Sequence, residues 1–187
     1  MIKHVLDEWP GVAGAKKSWW YKMQLFNSSH HQGNLFYIDL DTVIIEDLGW
    51  IFSNSSDYFW TIRDFRYLQR NTTSTMNSSV MWFNVDKFSW IYDKFSTDHL
   101  PTIMRTYPGD QDYLEAVIPH QQRRFLDISK FASFRWQAYR GGMNWQTRQP
   151  NNPEAETKIP PGTSVLVFHG HPKPHEVNCS VIKQLWQ

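Results

Sequence analysis

The sequence predicts a single α/β domain over residues 1–187, with a mixed, mainly parallel sheet flanked by helices. Three features predict it. The run Leu35-Phe36-Tyr37-Ile38 is apolar on both faces of an extended chain, as in a strand covered on both sides. The aromatic and β-branched run at 80–85 passes directly into helical spacing. A late run, Ser-Val-Leu-Val-Phe at 164–168, ends in the Gly/Pro-rich segment His169-Gly170-His171-Pro172-Lys173-Pro174. Strands alternating with helices imply helices layered on a sheet, with ligands beyond the carboxyl ends of the strands.

In chain order, Trp19, Trp20, Met23 and Phe26 recur at spacings of three and four, which predicts a helix capped by Ser18. A polar break at 27–34 precedes the strand at 35–38, read as central. A further strand is expected at 58–62. After the strand at 80–85, Asp86 is the expected N-cap of a helix carrying Phe88, Ile91, Tyr92 and Phe95 inward. A short helix from Asp110 would bury Tyr113, Leu114 and Val117. Residues 140–162, with Gly141-Gly142 and four prolines, read as a loop.

Composition excludes several function classes. With 19 Lys+Arg against 18 Asp+Glu the net charge is +1, so no uniform field draws the chain to nucleic acid or a membrane surface. Arg123, Arg124, Arg135, Arg140 and Arg148 are dispersed and read as solvated charges. The single cysteine, Cys179, forms no internal disulfide. No apolar run reaches the length of a membrane span, and Lys3, Asp7 and Glu8 interrupt the opening segment where a signal peptide would be apolar. A cytoplasmic location is the expectation.

The chemistry centres on Asp39 and Asp41. In an extended chain alternate side chains share a side, which puts the two carboxylates together at the edge of an apolar core. A divalent ion, Mn²⁺ or Mg²⁺, relieves such a pair. Aspartates after strands also cap turns, the structural alternative. The second cluster adds a ligand and a charge: His169 can bind a metal, Lys173 offers an ammonium to phosphate, and Gly170 lets the backbone approach a ligand.

Five segments together carry a resemblance. Trp20-Tyr21-Lys22-Met23, Phe36-Tyr37-Ile38-Asp39-Leu40-Asp41-Thr42-Val43, Asn77-Ser78-Ser79-Val80-Met81, Gly109-Asp110-Gln111-Asp112 and Phe168-His169-Gly170-His171-Pro172-Lys173-Pro174 resemble, in order, the signatures of glycogenin-like glycosyltransferases of GT-A type. The resemblance implies a Rossmann-like fold, a nucleotide diphosphate sugar as donor, a UDP-sugar in the first instance, and a glycan or other hydroxyl acceptor. It gives Asp39 to ribose and metal, Asp41 and His169 to metal, and Lys22, Gly170 and Lys173 to the donor. Asn77, Asp110 and Gln111 would line the sugar and acceptor region, with Asp110 and Gln111 in the catalytic roles.

The pattern departs from the family at four points, one being His175 where the family usually has tryptophan. The family histidine stands three residues before the glycine, where this chain has Val167, so His171 and His175 are alternative ligands to His169. Ser79 replaces a glycine. The strand-helix-strand units that open family members have almost no room before Trp20, which implies an N-terminally truncated domain.

Two other functions fit parts of the sequence. Asp39-Leu40-Asp41-Thr42-Val43 also looks like the nucleophile motif of haloacid-dehalogenase-type phosphatases. A noncatalytic carbohydrate-binding remnant would use aromatic surfaces such as Trp136, Tyr139 and Trp145.

Overall fold

A computed structural model describes residues 8, 12, 15–65, 75–95, 100–144 and 146–186. Trp145 and nearly all of the opening segment, including Lys3 and Asp7, lie outside the described residues. Among the described residues, seven strands form two sheets. Strands β1 (Asn34–Ile38), β4 (Met76–Asn84), β3 (Phe59–Arg63) and β5 (Arg123–Phe125) make a four-stranded sheet in that order. Strands β2 (Thr42–Ile44), β7 (Val165–Val167) and β6 (Phe131–Ser133) make a second, again in that order. The protein is thus a mixed α/β chain. It divides into two compact units, one of residues 1–36, 56–59 and 82–124, the other of residues 37–55, 60–81 and 125–187.

The first unit is built on the helix Ala15–Phe26, which is a 3₁₀ helix rather than the α-helix the spacing suggests. With three residues per turn, Trp20, Met23 and Phe26 fall in one row, and all three are fully buried. Trp19, expected to share that face, is 40% exposed because the shorter period moves it off the row. Phe26 stacks on Phe83 at 4.7 Å between ring centroids, and Phe59 meets Phe88 edge-on at 5.6 Å. The helices Val85–Phe88 and Trp90–Lys94 follow β4 directly, as its sequence suggests. The cap of the first is Asn84, whose side chain accepts from the Lys87 N–H, and not Asp86, whose carboxylate accepts from the Gly33 N–H at 3.1 Å. The helix Asp110–Val117 buries Tyr113 and Leu114, with Val117 half-buried.

The second unit centres on β7. It runs antiparallel to β2, with Thr42 opposite Val167, and parallel to β6, with Ser133 opposite Val167. All three β7 residues are buried. Leu166 and Phe168 join Val43, Phe134 and Ile182 in one core, where Phe134 and Phe168 stack at 4.5 Å.

Two strand expectations are corrected. The run 35–38, read as central, lies at one end of its sheet and is only half-buried. The most buried strand of that sheet is its neighbour β4, which begins at Met76, well before the expected 80. The polar triplet Asn77-Ser78-Ser79 sits inside that strand because its groups are satisfied there. The Asn77 Oδ1 accepts from the Ser79 N–H at 2.9 Å, and the Thr61 hydroxyl donates to the Asn77 carbonyl at 2.6 Å.

Candidate active site

Asp39 directly follows β1 and Asp41 stands just before β2, so the two flank a tight turn rather than alternate along a strand. The extended-chain geometry expected for the pair does not apply. Leu40, at the tip, is 88% exposed. The turn is fixed by backbone and hydroxyl bonds. The Asp39 N–H donates to the Ser79 carbonyl at 2.8 Å, and the Thr42 hydroxyl donates to the Asp39 carbonyl at 2.7 Å. The Tyr37 hydroxyl donates to the Asp39 carboxylate at 2.6 Å.

Pairing of β2 with β7 carries the late turn to this place. The Phe168 N–H donates to the Asp41 carbonyl at 3.1 Å, extending the ladder one step past Val167. Five residues later the Lys173 ammonium pairs with the Asp41 carboxylate, across 132 positions of sequence. Gly170 turns the chain between them with φ of +67°, a left-handed conformation that favours glycine. A capping box then holds Lys173: its N–H donates to Glu176 Oε2 at 2.6 Å, and the Glu176 N–H returns to the Lys173 carbonyl at 2.9 Å. Glu176 also pairs with His171 at 2.9 Å, and the acid is held below its usual pKa first by that bond. His175 is exposed.

His169 lies between these groups. Its ring faces Phe65 at 5.2 Å, and its Nε2 is closed off from water with no hydrogen-bond partner among the described residues. Burial pushes the imidazole down to about 4, although Asp64, Asp41 and Asp39 each pull it up, and Arg135 adds a smaller downward push. The ring is therefore neutral at pH 7. Asp64, directly after β3 and only 5% exposed, is a member of this neighbourhood that sequence reasoning missed. Its one sequence signal is a carboxylate standing at the end of an apolar run.

The depressed imidazole makes a prediction. Between its usual value of 6.5 and about 4 the unfolded chain takes up a proton that the folded ring refuses. Stability should fall as pH falls through that window, by up to about 3 kcal/mol, and be whole above it. Urea titrations at pH 7 and pH 4.5 check this, with a His169→Gln variant expected to lose distinctly less between the two.

The remaining sequence-predicted residues divide between the two units. Asn77 is in the second unit, buried within β4. Lys22, Asp110 and Gln111 belong to the first unit, where the Lys22 ammonium pairs with the buried Asp110 carboxylate at 3.3 Å. Gln111 is half-buried one position later. Asp39, Asp41, His169 and Lys173 supply carboxylate, imidazole and ammonium groups in one unit. Among the described residues, though, no three His, Cys, Asp or Glu side chains are gathered closely enough to hold a metal ion. A cavity of about 420 Å³ borders Asp39 but is lined mainly by apolar groups, including Leu40, Ile44 and Leu185. Among the described residues, no helix is long and apolar enough to cross a membrane.

No protein-family model matches the chain. No curated protein sequence matches it. Solved structures do. An active-site mutant of LgtC matches with TM-score 0.58 and 14% identity, over 88% of this chain and 64% of that one. The galactosyltransferase LgtC in complex with donor and acceptor sugar analogs matches with TM-score 0.57 and 13% identity, over 89% of this chain and 66% of that one. The glycosyltransferase GlyE of Streptococcus pneumoniae TIGR4 matches with TM-score 0.58 and 15% identity, over 89% of this chain and 42% of that one. The chain therefore has a GT-A-like glycosyltransferase fold and spans less than two thirds of the length of each of these proteins.

Proposed function

We propose that the chain moves a hexosyl group from a nucleotide diphosphate sugar, a UDP-sugar in the first instance, to an acceptor hydroxyl with the help of a divalent metal. The observation that carries this reading is the meeting of Lys173 with Asp41 beside β2 and β7, in a chain of glycosyltransferase fold. Breaking a sugar–phosphate bond requires charge to be stabilised on the departing diphosphate. Lys173 supplies a cation for it, kept in place by Asp41 and the capping box. Gly170 leaves the backbone open to close approach.

The residues at hand suit a metal chemically. Asp39 and Asp41 are hard oxygen donors, and His169 is a neutral imidazole whose buried Nε2 has no partner among the described residues. These three are the ligands we assign to Mn²⁺ or Mg²⁺, and they would have to draw closer together to hold it. When bound, such an ion would neutralise charge on the leaving diphosphate. Lys22 toward the donor, and Asn77, Asp110 and Gln111 toward sugar and acceptor, complete the roles the resemblance implies.

The two rival readings are not favoured, because the structural neighbours of the chain are glycosyltransferases. A calorimetric titration of UDP and GDP, with and without Mn²⁺, tests the proposal on the native chain and on Asp41→Ala. UDP should bind in the presence of Mn²⁺, and Asp41→Ala should weaken it at least about 10-fold. Binding of neither nucleotide under any condition would overturn the proposal. Glycan binding indifferent to metal and nucleotide would favour a noncatalytic remnant instead.

A further inference from the structure

Arg135, read from sequence as a solvated charge, is half-buried on a single π-helical turn, Phe134–Ala138, immediately after β6. Such turns are frequent at functional sites. Its guanidinium donates to the His171 carbonyl and lies about one van der Waals contact from where a Gly170 Cβ would be, 3.6 Å from Nη1. It therefore rests against the turn that carries Lys173. No carboxylate pairs with Arg135 among the described residues, and its Nε is buried with no hydrogen-bond partner. A guanidinium nitrogen closed off from water is normally matched by an acceptor.

A second cation lies on the same indole. Arg148 and Arg135 both lie 5.7 Å from the ring centroid of Trp136, and the charge of Arg148 adds to burial in pushing the Arg135 pKa down. Arg148 is held there with φ of +59°, a left-handed conformation that costs a non-glycine residue about 1 to 3 kcal/mol. Two like charges gathered on one indole, one of them lacking a carboxylate, form an arrangement that an oxyanion would relieve. The planar fork of arginine matches a phosphate or carboxylate group bidentately.

We propose that Arg135, with Arg148 beside it, is an oxyanion subsite next to the Lys173 turn, taking a phosphate or carboxylate group from one of the two substrates. This rests on the glycosyltransferase reading for the identity of those substrates, but its binding chemistry does not. The two sources are the donor diphosphate and an acidic group on the acceptor sugar.

The test titrates the 187-residue protein with inorganic pyrophosphate and, separately, with glucuronate, comparing the native chain with Arg135→Gln, Arg135→Lys and Arg148→Gln. For the subsite to stand, Arg135→Gln must weaken at least one anion about 10-fold or more, Arg135→Lys must recover part of the loss, and Arg148→Gln must weaken the same anion to a smaller extent. Loss confined to pyrophosphate assigns the subsite to the donor. Loss confined to glucuronate assigns it to an acidic acceptor. If the native chain binds neither anion, or if the variants melt like the native chain and bind both anions unchanged, the subsite is overturned. Should Arg135→Gln fail to fold, the Arg148→Gln comparison decides the matter in the same way. UDP binding by the native chain with Mn²⁺ is read separately, so the donor proposal and the subsite can fail independently.

Discussion

Replacing Lys173 with methionine is expected to lower donor turnover about 100-fold or more, the usual effect of removing one group that stabilises charge developing on a leaving oxygen. The same substitution should hardly touch stability. Lys173 and Asp41 are 33% and 25% exposed, and an ion pair so open to solvent contributes about 1 kcal/mol or less. The methionine keeps most of the aliphatic stem, and the capping box depends on the Lys173 backbone rather than its ammonium. Steady-state kinetics with the donor accepted by the native chain, set beside urea unfolding, separates the two effects. An unchanged kcat would remove the ammonium from the reaction. A large loss of stability without loss of turnover would make the Asp41 pair purely structural.

The largest effect on folding is expected from Trp20→Ala, a loss of about 4 kcal/mol. Trp20 is fully buried, stacks on Phe95 at 5.4 Å and meets Tyr113 edge-on at 6.2 Å. Removing the indole leaves a large void among side chains on three separate segments, which collapse only in part. Its neighbour supplies the control. Trp19→Ala, at a position 40% exposed, should cost under about 1 kcal/mol. Equal losses at the two positions, measured by chemical denaturation, would show that the row Trp20, Met23 and Phe26 is not the packed face of its helix.

Elements with a strong local pattern were legible in the sequence. The strand at Phe59–Arg63, the passage from β4 into a helix, and the late strand before His169 all follow from runs of β-branched, aromatic or regularly spaced apolar residues. The start of β4 was not, because Asn77, Ser78 and Ser79 look like a loop until Thr61 is seen donating to the carbonyls of Asn77 and Val80 across the sheet. The edge position of β1 was equally hidden, since an apolar run fits a central strand or an edge strand alike. In the candidate site, the charge types near Asp41 could be read from the sequence, and the structure brings Lys173 to it. The turn between Asp39 and Asp41 stood there only as an alternative, because an apolar Leu40 fits an extended chain as well as the exposed turn it occupies. Arg135 and Asp64 were missed for one reason. What distinguishes them is burial beside residues distant in sequence, which composition and spacing do not encode.

The 3₁₀ winding of Ala15–Phe26 makes that segment a ruler for an ion pair. Each residue advances about 2.0 Å along a 3₁₀ axis but about 1.5 Å along an α-helix, so rewinding twelve residues would shorten the segment by about 6 Å. The same rewinding would swing Lys22 round the axis, away from the Asp110 carboxylate that now receives its ammonium at 3.3 Å. Helical pitch and electrostatic pairing are therefore coupled in this unit: whatever relaxes the coil also draws an ammonium away from a carboxylate that is only 8% exposed.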